Sequence, residues 1–112
     1  MVKTLPDPVS SGARQLQISV RFFTTLREVT GKRQQTLEFD DNEDVTVDTV
    51  LKHLVKRHSR SFADYVYDRK TRDVKGFLQF LINGRSASTM GGLQAKLKDG
   101  DVLAIIPPVG GG

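Results

Sequence analysis

The chain opens on two stretches of alternation. Leu16, Ile18, Val20 and Phe22 fall on one side and Gln17, Ser19 and Arg21 on the other, which predicts a half-buried strand over residues 15–23. Alternation returns over residues 33–39, where Gln35, Leu37 and Phe39 share a side, and predicts a second strand antiparallel to the first. The link between them, residues 24–31, reads as a connection with a helical turn that stops at Gly31. The period then changes. Val47, Val50, Leu51, Leu54 and Val55 recur at i, i+3, i+4, i+7 and i+8, a helix with one apolar stripe. Thr46 is placed to cap it, with the acidic run Asp40-Asp41-Asn42-Glu43-Asp44 at its positive end and Lys56, Arg57 and His58 at its negative end.

Residues 77–82, Phe-Leu-Gln-Phe-Leu-Ile, are apolar on both sides and predict an interior or partner-covered strand, with Asn83-Gly84 as the turn after it. Gly91, Gly92 and Leu93 begin an irregular approach to Lys98-Asp99-Gly100-Asp101, which has turn chemistry with Gly100 at a position open to positive φ. Val102 to Ile106 is then a short, buried strand that Pro107 and Pro108 must end, since neither donates to a ladder. Residues 1–14 hold Pro6, Pro8, Ser10, Ser11 and Gly12 without periodicity and read as a flexible extension. Residues 59–76 form the longest irregular segment, in which Phe62, Tyr65, Val66 and Tyr67 pin a loop to the core and the charged run 68–73 is a solvated hairpin or turn. The sum is an α+β domain over residues 15–106, a mixed sheet with one main helix packed across it. A right-handed crossover makes the last strand parallel to the first and places it beside it.

Composition narrows the chemistry. With 112 residues the chain is one domain with a small core, burying about two-thirds of its unfolded surface. The formal charge of +4 comes from 17 basic and 13 acidic residues spread along the chain, a balance that mainly serves solubility. The absence of cysteine excludes disulfides, a thiol nucleophile and a cysteine zinc site, so any sulfur this protein handles is not carried on its own side chains. No run approaches the roughly 20 apolar residues of a membrane span, and residues 1–14 lack the apolar centre of a signal peptide; the expected location is the cytoplasm.

Several site readings fail on spacing. Asp40, Asn42 and Asp44 match the first ligand positions of a calcium loop, but Val45 stands where the glycine bend belongs and Leu51 where the bidentate glutamate belongs, so the acidic run is read as a helix-start device. His53 and His58 stand about 140° apart around a helix and read as solvated surface histidines. No metal is expected. The glycine pairs form no phosphate loop, lacking a following Gly-Lys-Ser/Thr or a GxGxxG pattern. The aromatics of residues 59–75 beside basic residues admit a nucleic-acid surface, yet the run mixes signs, which argues against that partner.

The remaining stretch is the end of the chain. Two prolines favour an extended path, and residues 107–112 reach about 20 Å at roughly 3.3 Å per residue. Leu97-Lys98-Asp99-Gly100-Asp101-Val102-Leu103-Ala104-Ile105-Ile106-Pro107-Pro108-Val109-Gly110-Gly111-Gly112 resembles the sulfur-carrier and ubiquitin-like family of the molybdopterin-synthase small subunit, the thiamine-pathway sulfur carrier and the small archaeal modifier proteins. Leu81-Ile82-Asn83-Gly84 and Phe22-Phe23-Thr24-Thr25-Leu26-Arg27-Glu28-Val29-Thr30-Gly31 add softer support; the third glycine, Gly110, departs from the usual family tail. The predicted element order is that of the β-grasp, the ubiquitin-like fold of this family.

The resemblance implies that Gly112 is the reactive group. Its carboxylate would be adenylated by an ATP-dependent enzyme of the ubiquitin-activating type, then converted to a thiocarboxylate for molybdopterin-synthase large subunit or another sulfur acceptor. The alternative within the family is a protein modifier joined through Gly112 to lysines of target proteins; outside it stands a non-covalent binding module. In the first two cases the chain is a carrier and co-substrate with no catalytic residue and no bound cofactor of its own, ATP being used by the partner. Pro107, Pro108, Val109, Gly110 and Gly111 would thread the partner's channel, where glycine lets the surrounding backbone close in. Phe77 and Leu81 alternate against Leu78, Phe80 and Ile82, and one helix covers only one side of a sheet, so either residues 59–75 or a partner covers these two, which are the candidate partner contact.

Overall fold

The computed structural model describes residues 15–41 and 43–107. They form a sheet of five strands in the order β2-β1-β5-β3-β4, where β1 is Gln15–Phe22, β2 Gln34–Asp40, β3 Gln79–Ile82, β4 Arg85–Ser86 and β5 Val102–Ile106. Helices α1 (Thr25–Thr30), α2 (Val47–Arg57) and α3 (Arg60–Val66) complete the regular elements, with 3-10 turns at Ala87–Met90 and Gly92–Gln94. This is the expected mixed β-grasp sheet. β1 runs antiparallel to β2, with Ile18 opposite Leu37, and parallel to β5, with Val20 opposite Leu103. β5 is antiparallel to β3 on its other side, so the last strand is central.

Alternation decides which side is covered. Ile18, Val20, Phe22, Leu37, Phe39, Leu103 and Ile105 are buried under the helices, together with Val47, Val50, Leu51 and Leu54 of the α2 stripe. α2 starts on a reciprocal pair: the Thr46 hydroxyl accepts from the Thr49 amide at 3.2 Å, and the Thr49 hydroxyl accepts from the Thr46 amide at 3.2 Å. The Glu43 amide donates to the Asp40 carbonyl at 3.0 Å, closing the turn that leaves β2, and of the acidic residues it is Asp48 that occupies the first turn of α2. Gly31, at φ 72, ends α1 by donating to the Arg27 carbonyl at 2.8 Å.

Three expectations are corrected. Residues 59–76 are not irregular: they contain α3, whose Phe62 and Val66 are fully buried, and a hairpin bridged between Tyr67 and Val74. Two substantial helices therefore pack on the sheet. The aromatics do pin this segment, through Phe62 against Phe22, ring centroids 6.3 Å apart. Second, β3 begins at Gln79, because the Leu78 amide donates to the Lys75 carbonyl in a turn that holds Gly76 and Phe77 outside the ladder. Third, the histidines are half-buried rather than solvated. The His53 ring meets Phe39 edge-on at 5.0 Å, and His58 lies 6.1 Å from Phe22 and 5.6 Å from Phe62 with Nε2 2.7 Å from Gln35 Oε1. Among the described residues no helix is long and apolar enough to cross a membrane.

Candidate functional site: the end of β5 and the open face of the sheet

β5 delivers the chain to the site. Its inward side chains Leu103 and Ile105 are 0% exposed, and it is flanked on both sides by strands, so its direction is held by packing and by two ladders. The turn that feeds it is clamped from two directions. The Gly100 amide, at φ 87, donates to the Gln17 carbonyl at 2.8 Å, and the Gln17 amide donates to Asp99 Oδ1 at 2.8 Å. Asp101 Oδ2 accepts from the Lys98 amide at 2.7 Å while Oδ1 accepts from Asn83 Nδ2 at 2.9 Å, and Asn83 Oδ1 in turn accepts from the Val102 amide at 2.9 Å. This Asn83–Asp101 latch ties the β3–β4 turn to the start of β5. Sequence reasoning read Asn83 only as a turn residue, which it also is, at φ 52.

Ile106 pairs with Gln79, and Pro107 follows it, half-buried, where β5 leaves the sheet. Pro108, Val109, Gly110, Gly111 and Gly112 lie outside the described residues. Around this exit the uncovered side of the sheet is apolar at its centre. Val102, Ala104 and Ile106 form a stripe along β5, each partly exposed; Leu81 stands beside Ala104 on one flank and Arg21 on the other. A strand expected to be buried throughout thus has one open side.

The structure does not bring Phe77 and Leu81 onto one face. Leu81 belongs to the open side, whereas Phe77 is 45% exposed and turns toward the helical side, its ring 6.2 Å from Tyr65 of α3 and its face 5.9 Å from Lys75 Nζ. Another cluster at the same end was not singled out from sequence. The Phe23 ring, just past β1, is flanked by the guanidinium groups of Arg21 at 5.7 Å and Arg27 at 5.4 Å, and Arg27 Nε donates to the Phe22 carbonyl at 3.0 Å. Since Phe22 is opposite Ile105, this cationic pair stands beside the point where the tail departs.

A family model described as the ThiS family matches residues 20–112, from the end of β1 through the end of the chain. The chain belongs to the ThiS family. The family gathers small ubiquitin-like modifiers and sulfur carriers, and this ThiS-family chain resembles members of both kinds. Over 97 residues it is 34% identical to small archaeal modifier protein 3 of Haloferax volcanii, covering 87% of this chain and all of that one. The solution structure of small archaeal modifier protein 1 from Methanosarcina acetivorans superposes with a TM-score of 0.75 at 27% identity, covering 88% of this chain and 99% of that one. A putative molybdopterin converting factor subunit 1 from Pyrococcus furiosus gives a TM-score of 0.64 at 25% identity, over 84% and 99% of the two chains.

Proposed function

We propose that this ThiS-family protein is a sulfur carrier whose Gly112 is activated by a partner and converted to a thiocarboxylate. The observation that supports it is the combination at the end of β5: a strand anchored on both sides ends at Pro107 beside an uncovered apolar face, and the sequence that follows ends in three glycines. A carboxylate has no leaving group. Its oxygen attacks the α-phosphorus of ATP in the adenylating partner, pyrophosphate departs, and an acyl-adenylate forms. Hydrosulfide then adds to the acyl carbon and AMP leaves, giving the thiocarboxylate that passes its sulfur to an acceptor. Glycine at position 112 leaves the acyl carbon unhindered and lets the partner's backbone close around the tail. Pro107 and Pro108 restrict the free tail and so lower the entropy cost of threading, about 1–2 kcal/mol per ordered residue otherwise.

In this reading the catalyst is an ATP-dependent enzyme of the ubiquitin-activating type, working in the cytoplasm, and this chain is its co-substrate with no bound cofactor. The sulfur acceptor is a molybdopterin-synthase large subunit, a choice supported by the likeness to the molybdopterin converting factor subunit. The docking surface is the open side of the sheet around Leu81, Ala104 and Ile106. Intact mass of the protein from its native cell tests the proposal: a C-terminal gain equal to sulfur replacing oxygen is expected.

The likeness to small archaeal modifier proteins favours a second reading, in which a lysine amine takes the place of hydrosulfide and Gly112 forms an isopeptide bond. Remnants of residues 99–112, left by tryptic cleavage after Lys98, on lysines of other proteins, with no sulfur-bearing form of the free chain, would replace the carrier reading by this one.

A further inference from the structure

The helical side of the molecule carries a second concave surface, remote from the open side of the sheet. A groove of about 450 Å³ runs between the end of α2, α3 and the 67–74 hairpin. Its lining divides by chemistry. Val55, Ala63 and Tyr67 provide apolar and aromatic wall, while Arg60, Arg69 and Arg72 bring three guanidinium groups to the same space. Two carboxylates also border it, so the lining carries three positive charges against two negative. Asp68 Oδ1 accepts the backbone amides of Thr71 at 3.0 Å and Lys70 at 2.8 Å, bonds that hold its pKa below the ordinary aspartate range, keep it ionised and tie it to the hairpin turn. Asp64 lies 3.7 Å from Arg69 Nε in a long, solvated pair. Among the described residues neither Arg60 nor Arg72 has a carboxylate within ion-pair distance.

Arg72 is also held in an uncommon backbone state. Its φ is 67, and its amide donates to the Asp68 carbonyl at 2.8 Å. The hairpin thus presents an arginine at a position that glycine or asparagine would fill more easily. Guanidinium forks match phosphate oxygens bidentately, and Arg60 and Arg72, with no carboxylate at ion-pair distance among the described residues, are the two forks open to such a ligand.

We propose that this groove binds a small phosphate monoester, its phosphate held by Arg60, Arg69 and Arg72 and its organic part against Val55, Ala63 and the Tyr67 ring. The site stands apart from the proposed carrier surface: α2 and α3 lie on the covered side of the sheet, so an occupant leaves the Leu81 face free. Its occupant would report on the protein without competing with the activating partner.

Amide NMR titrations of the full chain at matched ionic strength test it, with inorganic phosphate, phenyl phosphate and a single-stranded oligonucleotide as probes and sodium chloride as the blank. Saturable shifts confined to residues 60–72 are expected, with phenyl phosphate binding several-fold more tightly than inorganic phosphate. Arg60→Gln with Arg72→Asn should weaken phenyl phosphate about tenfold or more, since charge-assisted bonds are lost; asparagine accepts positive φ, so the turn is kept. Arg85→Gln on β4 should change nothing. If the double variant does not fold, Arg60→Gln alone, at an exposed helical position, carries the same expectation in smaller degree. Shifts that match the chloride blank, equal losses in Arg85→Gln, or affinity that climbs with oligonucleotide length would each overturn the proposal, the last by assigning the surface to nucleic acid.

Discussion

Thr24 holds φ 46 and ψ −116, and the Leu26 amide donates to the Phe23 carbonyl across it at 3.0 Å. This is the geometry of a type II′ turn, whose first central position favours glycine, and a β-branched side chain there is strained by about 1–3 kcal/mol. Glycine costs about 0.5–1 kcal/mol in chain entropy, so Thr24→Gly should raise stability by about 1 kcal/mol in urea unfolding. A loss instead would mean that the threonine side chain contributes more than its backbone costs. The histidines set a pH dependence. Burial first, then Lys32 and Arg57, hold the His58 pKa below its ordinary 6.5; burial, then Arg57 and Lys56, do the same for His53, whose Nε2 accepts from Arg57 Nε at 2.9 Å. A pKa lowered by folding means that the fold favours the neutral ring. The contribution is full above the unfolded value and is lost as pH falls through the lower folded value. Melting temperature should therefore drop between pH 7 and 5, and drop less in His58→Gln; equal slopes would place the effect elsewhere.

At the scale of elements, α3 shows how packing replaces propensity. Seven residues are too few for a helix to hold itself in water, so α3 exists because Phe62 and Val66 enter the core beside Phe22. Phe62→Ala should cost about 3–5 kcal/mol by chemical denaturation, a large share of the stability of a domain this size. A cost under about 1 kcal/mol would show α3 to be loosely attached and the cavity able to collapse. The contrast with α2 explains what could be read in advance. α2 spans 11 residues and repeats its apolar stripe over three turns, with Thr46 marking its start. The i, i+3, i+4 spacing of Phe62, Tyr65 and Val66 was the only sign of α3, and one turn of period cannot be told from a loop that buries three side chains. β3 was overextended for a related reason: apolar character continues through Phe77, but a hydrogen bond from Leu78 to Lys75 ends the ladder.

The whole molecule decides which side of the sheet is free. All three helices lie on one side, so the other presents Leu81, Ala104 and Ile106 next to Pro107, where β5 ends. Leu81→Asp should lower ATP–pyrophosphate exchange with the activating enzyme by tenfold or more, as expected when a central apolar contact becomes charged, while the melting temperature moves by only a few degrees. A large melting drop would assign Leu81 to the core, and unchanged exchange would move the docking surface away from this face.

From the sequence alone followed the elements with enough repeats to carry a period, the turns at Gly31, Asn83-Gly84 and Gly100, and the parallel placement of the last strand beside the first. These are local rules and a handedness rule, and each acts within one element or one connection. Tertiary structure alone decided that Leu81 and Arg21, sixty residues apart, flank the same Ala104, that Asn83 latches to Asp101, and that Phe77 turns away from Leu81. It also left one side of β5 open. A continuous apolar strand looks the same in sequence whether its second side meets a helix layer or solvent, because the count of layers is a property of the assembled sheet and not of any segment in it.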